Sequence, residues 1–398
     1  MTTEMQPIGR RVAHWRSRRK MSQQVFADRL GKSKSWVDKV ERGVRSLDRM
    51  STLRDIATVL RIDAAVLIGR GATPVGRTER AEGVNRVAAA LSTYDIAVRR
   101  TTGRPLVPAD RMTRIVEHAW TTFQHARYSQ VTALAPQLLV DAQRTYADDP
   151  DAGRSQLVEA YRVTASLLTK LGASELAWLT ADRAMHCATD EPRLTAMAAI
   201  QVSQALRACG RSRAAMSTAL HAAYRIAAPD SDDGGAEELS LCGALIMQSA
   251  LAAARHGDHR GAARLLDEAE ALAARVGDGH DHHRTDFGPT AVMLARARAA
   301  LDLGDGRDAV GWHEKAVRRD GWRWLAAEHR AGHLVRAARA NLRFDRPAHA
   351  ARALIDAFHI APEELRHRAA ARAVLTQVAR DPYAPATIIQ LAATLSVA

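Results

Sequence analysis

The stretch KSKSWVDKVERG, at residues 32–43 of this 398-residue sequence, carries side chains suited to binding a polyanion. Three lysines and one arginine supply positive charge, while two serines and a tryptophan add hydrogen bonding and stacking. Side chains of these types bind phosphates and base edges, and they do not by themselves make or break covalent bonds. The chemistry that this stretch indicates is recognition rather than catalysis.

Two groups of histidines have spacings that could hold a metal ion. HDHH at 280–283 lies in a predicted loop, where histidines are more often solvated than liganding. His329 and His333 are four residues apart on a predicted helix, but Arg330 stands where the metalloprotease motif needs a glutamate. Nucleophile-elbow and phosphate-cradling motifs are missing from the sequence. We therefore expect no metal, no cofactor and no enzyme activity.

Short amphipathic helices must position the basic stretch. The apolar periodicity predicts helices over 8–20, 23–30, 34–42 and 48–62, with a short fifth helix after Asp63. Ser22 and Ser33 are suitable N-caps for the second and third helices. Gly31 and Gly43 are suitable residues to end them.

The second and third helices, joined by a tight glycine-containing turn, form a predicted helix-turn-helix. Val37 and Val40 are the apolar residues of the third helix and must face the core of this unit. At about 100° per residue, that orientation fixes which side chains face solvent. The outward or flanking side chains are Lys34, Ser35, Asp38 and Lys39.

The sequence over about residues 8–70 resembles the Cro/C1-type (xenobiotic-response-element) helix-turn-helix family. The family pattern is roughly S/T-Q-x-x-φ-A-x-x-x-G-x-S-x-x-x-φ-x-x-φ-E-x-G. It is matched by Ser22, Gln23, Ala27, Gly31, Ser33, Val37, Val40, Glu41 and Gly43. The resemblance implies a five-helix domain that binds double-stranded DNA.

The resemblance also implies which residues contact DNA. The backbone-contacting residues would be Gln23, Arg42 and Arg45. The base-contacting positions would be Lys34, Ser35 and Lys39, and Ser33 and Trp36 complete the set. Arg16 would pair with Glu41 and fix the first helix on the third.

Two residues of the third helix have alternative interpretations. Trp36 departs from the small or polar residue usual at its position, so it could stack on a sugar, contact a thymine methyl group or pack on a neighbouring helix. Asp38 could accept a hydrogen bond from cytosine, or it could offset nearby lysines.

The charge of the chain is concentrated at the same end. The net charge is +13, and residues 1–70 hold 16 Lys and Arg against 7 Asp and Glu. Such a local excess favours a polyanionic partner, with nucleic acid ahead of a membrane surface. Composition is otherwise that of a globular protein, with 47% hydrophobic and 25% charged residues, and the length favours at least two folding units.

The sequence also favours a cytoplasmic protein. The N-terminus has no apolar segment of the kind found in signal peptides, and no apolar run approaches the 18 residues of a membrane span. Cys187, Cys209 and Cys242 are far apart and have no CxxC spacing. They fit reduced, buried side chains better than disulfides or zinc ligands.

Beyond residue 80 the sequence is a divergent repeat. Apolar or small residues recur at six positions in five segments, and the first of these positions are Tyr161, Ala199, Ile246, Met293 and Leu334. Each segment predicts a hairpin of two helices, with Gly172, Gly210, Gly257 and Gly304 at the turns. Segments 80–98 and 110–147 predict further hairpins, and residues 366–398 a terminal cap.

These hairpins are similar to tetratricopeptide repeats, although their spacings of 38, 47, 47 and 41 residues exceed the roughly 34 of that family. The resemblance implies an α-solenoid with a concave binding face. The predicted domains are a helix-turn-helix domain at 1–70, a linker at 71–79 and the repeat domain at 80–398. Two segments, 228–238 and 276–290, predict mobile loops.

Together these features predict an all-α transcriptional regulator. The repeat domain would mediate homodimerisation and sense a peptide or small molecule. A protein-interaction scaffold whose N-terminal bundle does not bind DNA is the alternative, and it predicts partner binding with little salt dependence.

Overall fold

The computed structural model describes residues 8–45, 47, 50–60, 62, 67, 75–94, 105–226, 235–381 and 384–395. Within these ranges the chain forms α-helices, short 3-10 turns and connecting segments, without a β-strand. The predicted all-α fold is therefore confirmed there. The chain divides into two compact units, Met1–Thr78 and Glu79–Ala398.

The helices of the first unit are α1 (Ile8–Arg18), α2 (Gln23–Leu30), α3 (Lys34–Glu41) and α4 (Met50–Leu60). Helix α1 ends two residues before its predicted end because Lys20 has a φ of 52°, in the left-handed region. The predicted fifth helix falls mostly outside the described residues. Apolar faces of all four helices meet in one core, and its fully buried members include Val12, Phe26, Val37, Ile56 and Leu60.

The caps predicted from the sequence are present. Ser22 Oγ accepts a hydrogen bond from the Val25 N–H at 3.2 Å, and Ser33 Oγ accepts one from the Trp36 N–H at 3.1 Å. Gly31 ends α2 with a φ of 61°, a conformation that costs glycine little. The turn between α2 and α3 is therefore specified locally, residue by residue.

From residue 75 onward the helices are α5 (Val75–Leu91), α6 (Ala109–Gln124), α7 (Tyr128–Asp148), α8 (Pro150–Leu171), α9 (Ser174–Cys187), α10 (Pro192–Ala208), α11 (Ser212–Ile226), α12 (Ala236–Arg255), α13 (His259–Val276), α14 (Pro289–Leu303), α15 (Gly306–Val317), α16 (Ala327–Arg343), α17 (Pro347–Ile360), α18 (Pro362–His367), α19 (Ala369–Ala379) and α20 (Ala386–Thr394). Helix α5 begins inside the predicted linker at 71–79, whose first four residues lie outside the described ranges. The predicted linker includes Pro74 in its sequence. A proline at the start of a helix does not oppose the helix that follows it. None of the helices described is long and apolar enough to span a bilayer.

The five predicted hairpins are confirmed as the pairs α8–α9, α10–α11, α12–α13, α14–α15 and α16–α17. Their turn glycines, Gly172, Gly210, Gly257 and Gly304, have φ values of 79°, 79°, 84° and 93°. The repeated apolar positions are buried, except for the half-buried Met293 and His313. Small residues at these positions allow the paired helices to approach closely.

The predictions for the segments that flank the five hairpins are confirmed in part. Segment 110–147 forms the hairpin α6–α7 as predicted, and α18, α19 and α20 follow the last repeat. The described part of segment 80–98, residues 80–94, contains most of α5 and no second helix, and residues 95–104 lie outside the described ranges. In the predicted loop at 228–238, residues up to 234 also lie outside them, and α12 begins at Ala236.

The prediction of a mobile loop at 276–290 is wrong. Phe287 is only 1% exposed, and its ring lies where a side chain on Gly243 would stand. Arg162 Nη2 donates to the His283 carbonyl at 3.0 Å, and Asp286 Oδ2 accepts from the Ala326 N–H at 3.1 Å. The polar residues that suggested a solvated loop instead satisfy buried groups of the hairpins. We call residues 277–288 the inner loop.

The C-terminal helices pack back on the first hairpins of the array. Glu364 is fully buried, and its carboxylate accepts a hydrogen bond from Tyr128 Oη at 2.6 Å. It also pairs with Lys170 Nζ at 3.3 Å and with Arg368 Nη1 at 2.6 Å. Buried apolar residues of both ends share one cluster. The repeat unit is therefore closed on itself.

Replacing Glu364 by glutamine removes the charge that compensates Lys170 and Arg368 and keeps the size of the side chain. We expect the free energy of unfolding to fall by about 3 kcal/mol, because Arg368 then loses its carboxylate partner and the Tyr128 hydrogen bond is weakened. Lys170 keeps Glu328 at 2.5 Å. Urea unfolding of the full chain, followed by circular dichroism, measures the change. Glu314→Gln is the matched control, since Glu314 is exposed and lies 4.0 Å from Arg318. Equal losses in the two variants would contradict the expectation.

The same carboxylate predicts an acid dependence. Burial alone would raise the pKa of Glu364, but the charges of Lys170 and Arg368 and the Tyr128 hydrogen bond outweigh it and lower the pKa from 4.5 to about 2. Its contribution to stability is therefore present above pH 4.5 and is lost as the pH falls towards 2. The stability of the wild type should fall more steeply over this range than that of Glu364→Gln.

Candidate nucleic-acid interface

Helix α3 presents a polar, basic face. Val37 and Val40 are 0% and 1% exposed, which fixes the rotation of the helix about its axis. Lys34, Ser35 and Lys39 are exposed, with Ser35 and Lys39 on the opposite side and Lys34 at the flank, as the helical spacing predicted. The structure therefore brings the three predicted base-contacting residues together on one accessible surface.

A buried ion pair holds α3 on α1. Arg16 Nε donates to Glu41 Oε1 at 2.6 Å, and Arg16 Nη2 donates to Glu41 Oε2 at 2.9 Å. Arg16 Nη1 also donates to the Met21 carbonyl at 2.7 Å. The hydrogen bond from Glu41 raises the pKa of Arg16 and outweighs the effect of burial. This bidentate pair is the one that the sequence predicted, and it fixes the angle at which α3 is presented.

Gln23 and Ser33 have structural contacts of their own. Gln23 Nε2 donates to Glu41 Oε2 at 2.9 Å, so one of its two amide hydrogens is already engaged. Ser33 Oγ accepts from the Trp36 N–H, which leaves its hydroxyl hydrogen available. Both side chains can still donate to a phosphate from the N-terminal ends of α2 and α3.

The structure favours packing for Trp36. Its ring is half-buried and lies against the apolar core of the first unit. Asp38 forms an ion pair with Arg42 one turn further along α3, and both side chains are exposed. The carboxylate therefore offsets an arginine rather than the lysines. Arg45 is exposed beyond the end of the helix, and its N–H donates to the Lys39 carbonyl at 3.0 Å.

Sequence reasoning missed the role of Gly9. A Cβ atom at this position would lie 2.0 Å from the Val40 carbonyl oxygen, so α1 crosses the end of α3 in backbone contact. No local pattern marks this glycine, because its neighbour is 31 residues away in the sequence. The close contact at Gly9 constrains the position of α3 against α1, together with the Arg16–Glu41 pair.

The histidines considered as metal ligands have other neighbours. His333 is 2% exposed, and its Nε2 lies 2.8 Å from Nδ1 of His313. His329 Nδ1 lies 3.5 Å from Asp286 Oδ2, and the rings of His280 and His282 are stacked. Within the described ranges, no group of three or more His, Cys, Asp or Glu is arranged to hold a metal ion.

One comparison with known proteins matches the first unit to a family model. Residues 7–68 match the family model described as a helix-turn-helix domain. No curated protein matches the chain. One similar solved structure is that of PlcR from Bacillus thuringiensis, in complex with the peptide PapR7 and DNA. It has 13% sequence identity and a TM-score of 0.37, covering 78% of this chain and 99% of that chain. A likeness at this level establishes no shared ligand.

The Arg16–Glu41 pair can be tested by Glu41→Gln, which removes the charge and keeps the shape. We expect local stability of α1 and α3 to fall by about 2 kcal/mol, because a charge-assisted bidentate pair and the Gln23 contact are weakened. Hydrogen exchange of the full chain, resolved by peptide, should then be about 30-fold faster in these helices and unchanged after residue 105. Asp38→Asn, at an exposed pair, should change exchange little; an equal effect would refute the assignment.

Proposed function

We propose that the chain is a sequence-specific DNA-binding transcriptional regulator. The observation that carries this proposal is the exposed Lys34–Ser35–Lys39 face of α3, held by the Arg16–Glu41 pair within a unit that matches a helix-turn-helix domain. A helix of this kind enters the major groove with its exposed side chains towards the base edges. The strong positive charge of residues 1–70 supports a nucleic-acid partner.

In this proposal Lys34, Ser35 and Lys39 contact bases, whereas Arg42 and Arg45 lie over phosphates. Gln23 and Ser33 donate to the backbone from the helix N-termini. On binding DNA, Arg42 must exchange its ion pair with Asp38 for one with a phosphate. Because the Asp38–Arg42 pair is exposed, breaking it costs little free energy. Trp36 supports the helix from its packed position.

We assign residues 1–70 to a Cro/C1-type DNA-binding domain, 71–79 to a linker and 80–398 to a tetratricopeptide-like domain. The hairpins and their αL turn glycines support the last assignment. The large domain would mediate homodimerisation and sense a small signal, because a single small DNA-binding module binds weakly on its own. Such a regulator acts in the cytoplasm and needs no enzymatic activity.

The double substitution Lys34→Ala/Lys39→Ala tests DNA binding. We expect affinity for the DNA upstream of the gene to fall at least tenfold, because each good base contact contributes about 1–3 kcal/mol. If the lysines also neutralise phosphates, the salt slope should decrease by about 1 per lysine. Footprinting locates the site, and fluorescence anisotropy over a series of salt concentrations gives both quantities.

The matched control is Arg318→Ala/Arg352→Ala, which removes two exposed charges from the repeat unit. It should bind as the wild type does. Unchanged affinity and slope in the lysine variant would exclude the regulator and favour the interaction scaffold.

Homodimerisation predicts a sedimentation-equilibrium mass twice that of the chain at micromolar concentration. It also predicts a footprint over two half-sites about 34 Å apart, since paired helix-turn-helix units contact successive major grooves. A monomer that protects a single half-site would contradict the dimer and leave DNA binding intact.

A further inference from the structure

The closed repeat unit contains a cavity of about 310 Å³. Its walls come mainly from the first helices of the five hairpins, α8, α10, α12, α14 and α16. Helix α6, the inner loop and Arg368 of the C-terminal segment complete them. The cavity therefore lies within one unit of the protein and involves no residue of the helix-turn-helix domain.

The lining is polar in a way that follows the repeat. Two residues after the first repeated position stand Gln201, Gln248 and Arg336, all of which line the cavity. A residue two positions further on a helix is rotated by about 200°. The apolar positions therefore pack the hairpins together, while this second set faces the cavity.

Three buried or half-buried arginines of the lining have no carboxylate closer than 4.0 Å within the described ranges. The buried side chain of Arg207 donates, among the described residues, to Gln248 alone, at 2.9 Å to its side chain and 3.3 Å to its carbonyl. Arg298 has Asp302 at 4.0 Å, the outer limit of an ion pair. Arg336 Nε is buried and has no hydrogen-bond partner within the described part of the chain. We call these three residues the arginine cluster.

The members of the arginine cluster act on one another. Burial, and then the charges of Arg298 and Arg368, lower the pKa of Arg336 to about 9. Burial lowers the pKa of Arg298 to about 10, and Arg368 and Arg255 act in the same direction. Burial and the neighbouring Arg298 also lower the pKa of Arg207. Positive charge is therefore concentrated on one buried and two half-buried side chains.

Such an arrangement lowers the stability of the folded chain, so we expect it to have a role other than folding. An unpartnered buried donor and an uncompensated buried cation both destabilise a protein. The nearby Glu364 shows the contrast, because two cations and a hydroxyl group compensate its charge. The arginine cluster lines a space of ligand size. Two carboxylates, Glu328 and Asp286, line the same space, but Glu328 pairs with Lys170 at 2.5 Å and Asp286 accepts from the Ala326 N–H.

We propose that this cavity binds a small organic anion with clustered oxyanion groups, held by Arg207, Arg298 and Arg336. The proposal deepens the signal-sensing role given above by assigning the chemistry of the signal. Guanidinium groups bind phosphates and carboxylates through paired hydrogen bonds. A volume of about 310 Å³ is at the lower end of small-molecule sites, which favours a metabolite-sized ligand over an extended peptide.

Isothermal titration calorimetry of the full chain with pyrophosphate, ATP, citrate and uncharged glucose tests the proposal. At least one of the three anions should bind with a stoichiometry of one per chain, and glucose should not. Binding of pyrophosphate or ATP identifies a phosphate ligand, and binding of citrate identifies a carboxylate ligand. If none of the anions binds, the proposal is overturned.

Variants locate the binding. Arg336→Gln should weaken binding about tenfold or more and leave the melting temperature unchanged or raised. Arg352→Gln, at an exposed arginine, should do neither. Lys34→Ala/Lys39→Ala should bind the anion normally, so failure of DNA binding and failure of this proposal are distinguishable. Normal anion binding by Arg336→Gln, or a lower melting temperature without loss of binding, would overturn the assignment.

Discussion

A carboxylate without access to water, that of Glu364, determines how the helical array closes. A buried charge is tolerated only where opposite charges and hydrogen-bond donors surround it. Tyr128 and Lys170 come from the first hairpins, and Arg368 comes from the C-terminal segment. The two ends of the repeat unit must therefore meet for Glu364 to be compensated. Closure in turn gives the cavity its walls.

Charge compensation is uneven around the cavity. On one side, Lys170 and Arg368 share the charge of Glu364. On the other, burial and the charges of Arg298 and Arg368 lower the pKa of Arg336, and burial lowers the pKa of Arg298. A fold that neutralises one buried charge completely and leaves neighbouring charges unmatched has separated a structural site from a site kept for a ligand. The Arg16–Glu41 pair belongs to the structural kind, because its bidentate geometry orients α3.

Whether a feature could be predicted from the sequence depends on how far apart along the chain the interacting residues are. Serine caps, αL glycines and the helical periodicity act within a few residues, so α2, α3 and the five hairpins could be predicted. The Arg16–Glu41 pair could be predicted from the resemblance of residues 8–70 to a helix-turn-helix family. Gly9, the inner loop and the arginine cluster depend on contacts between distant segments, for which local propensity carries no signal. The recurrence of Gln201, Gln248 and Arg336 two residues after the first repeated position was the one available sign of the cavity.

The inner loop changes how such an array of helical hairpins is expected to unfold. Repeat proteins with open ends contact only their neighbours, and they fray from the termini one hairpin at a time. Here Asp281 accepts from Gln124, His283 from Arg162, and Asp286 from the Ala326 N–H, so three separate parts of the array meet at one segment. Melting of any hairpin removes contacts from the others, which favours a single concerted transition over stepwise loss.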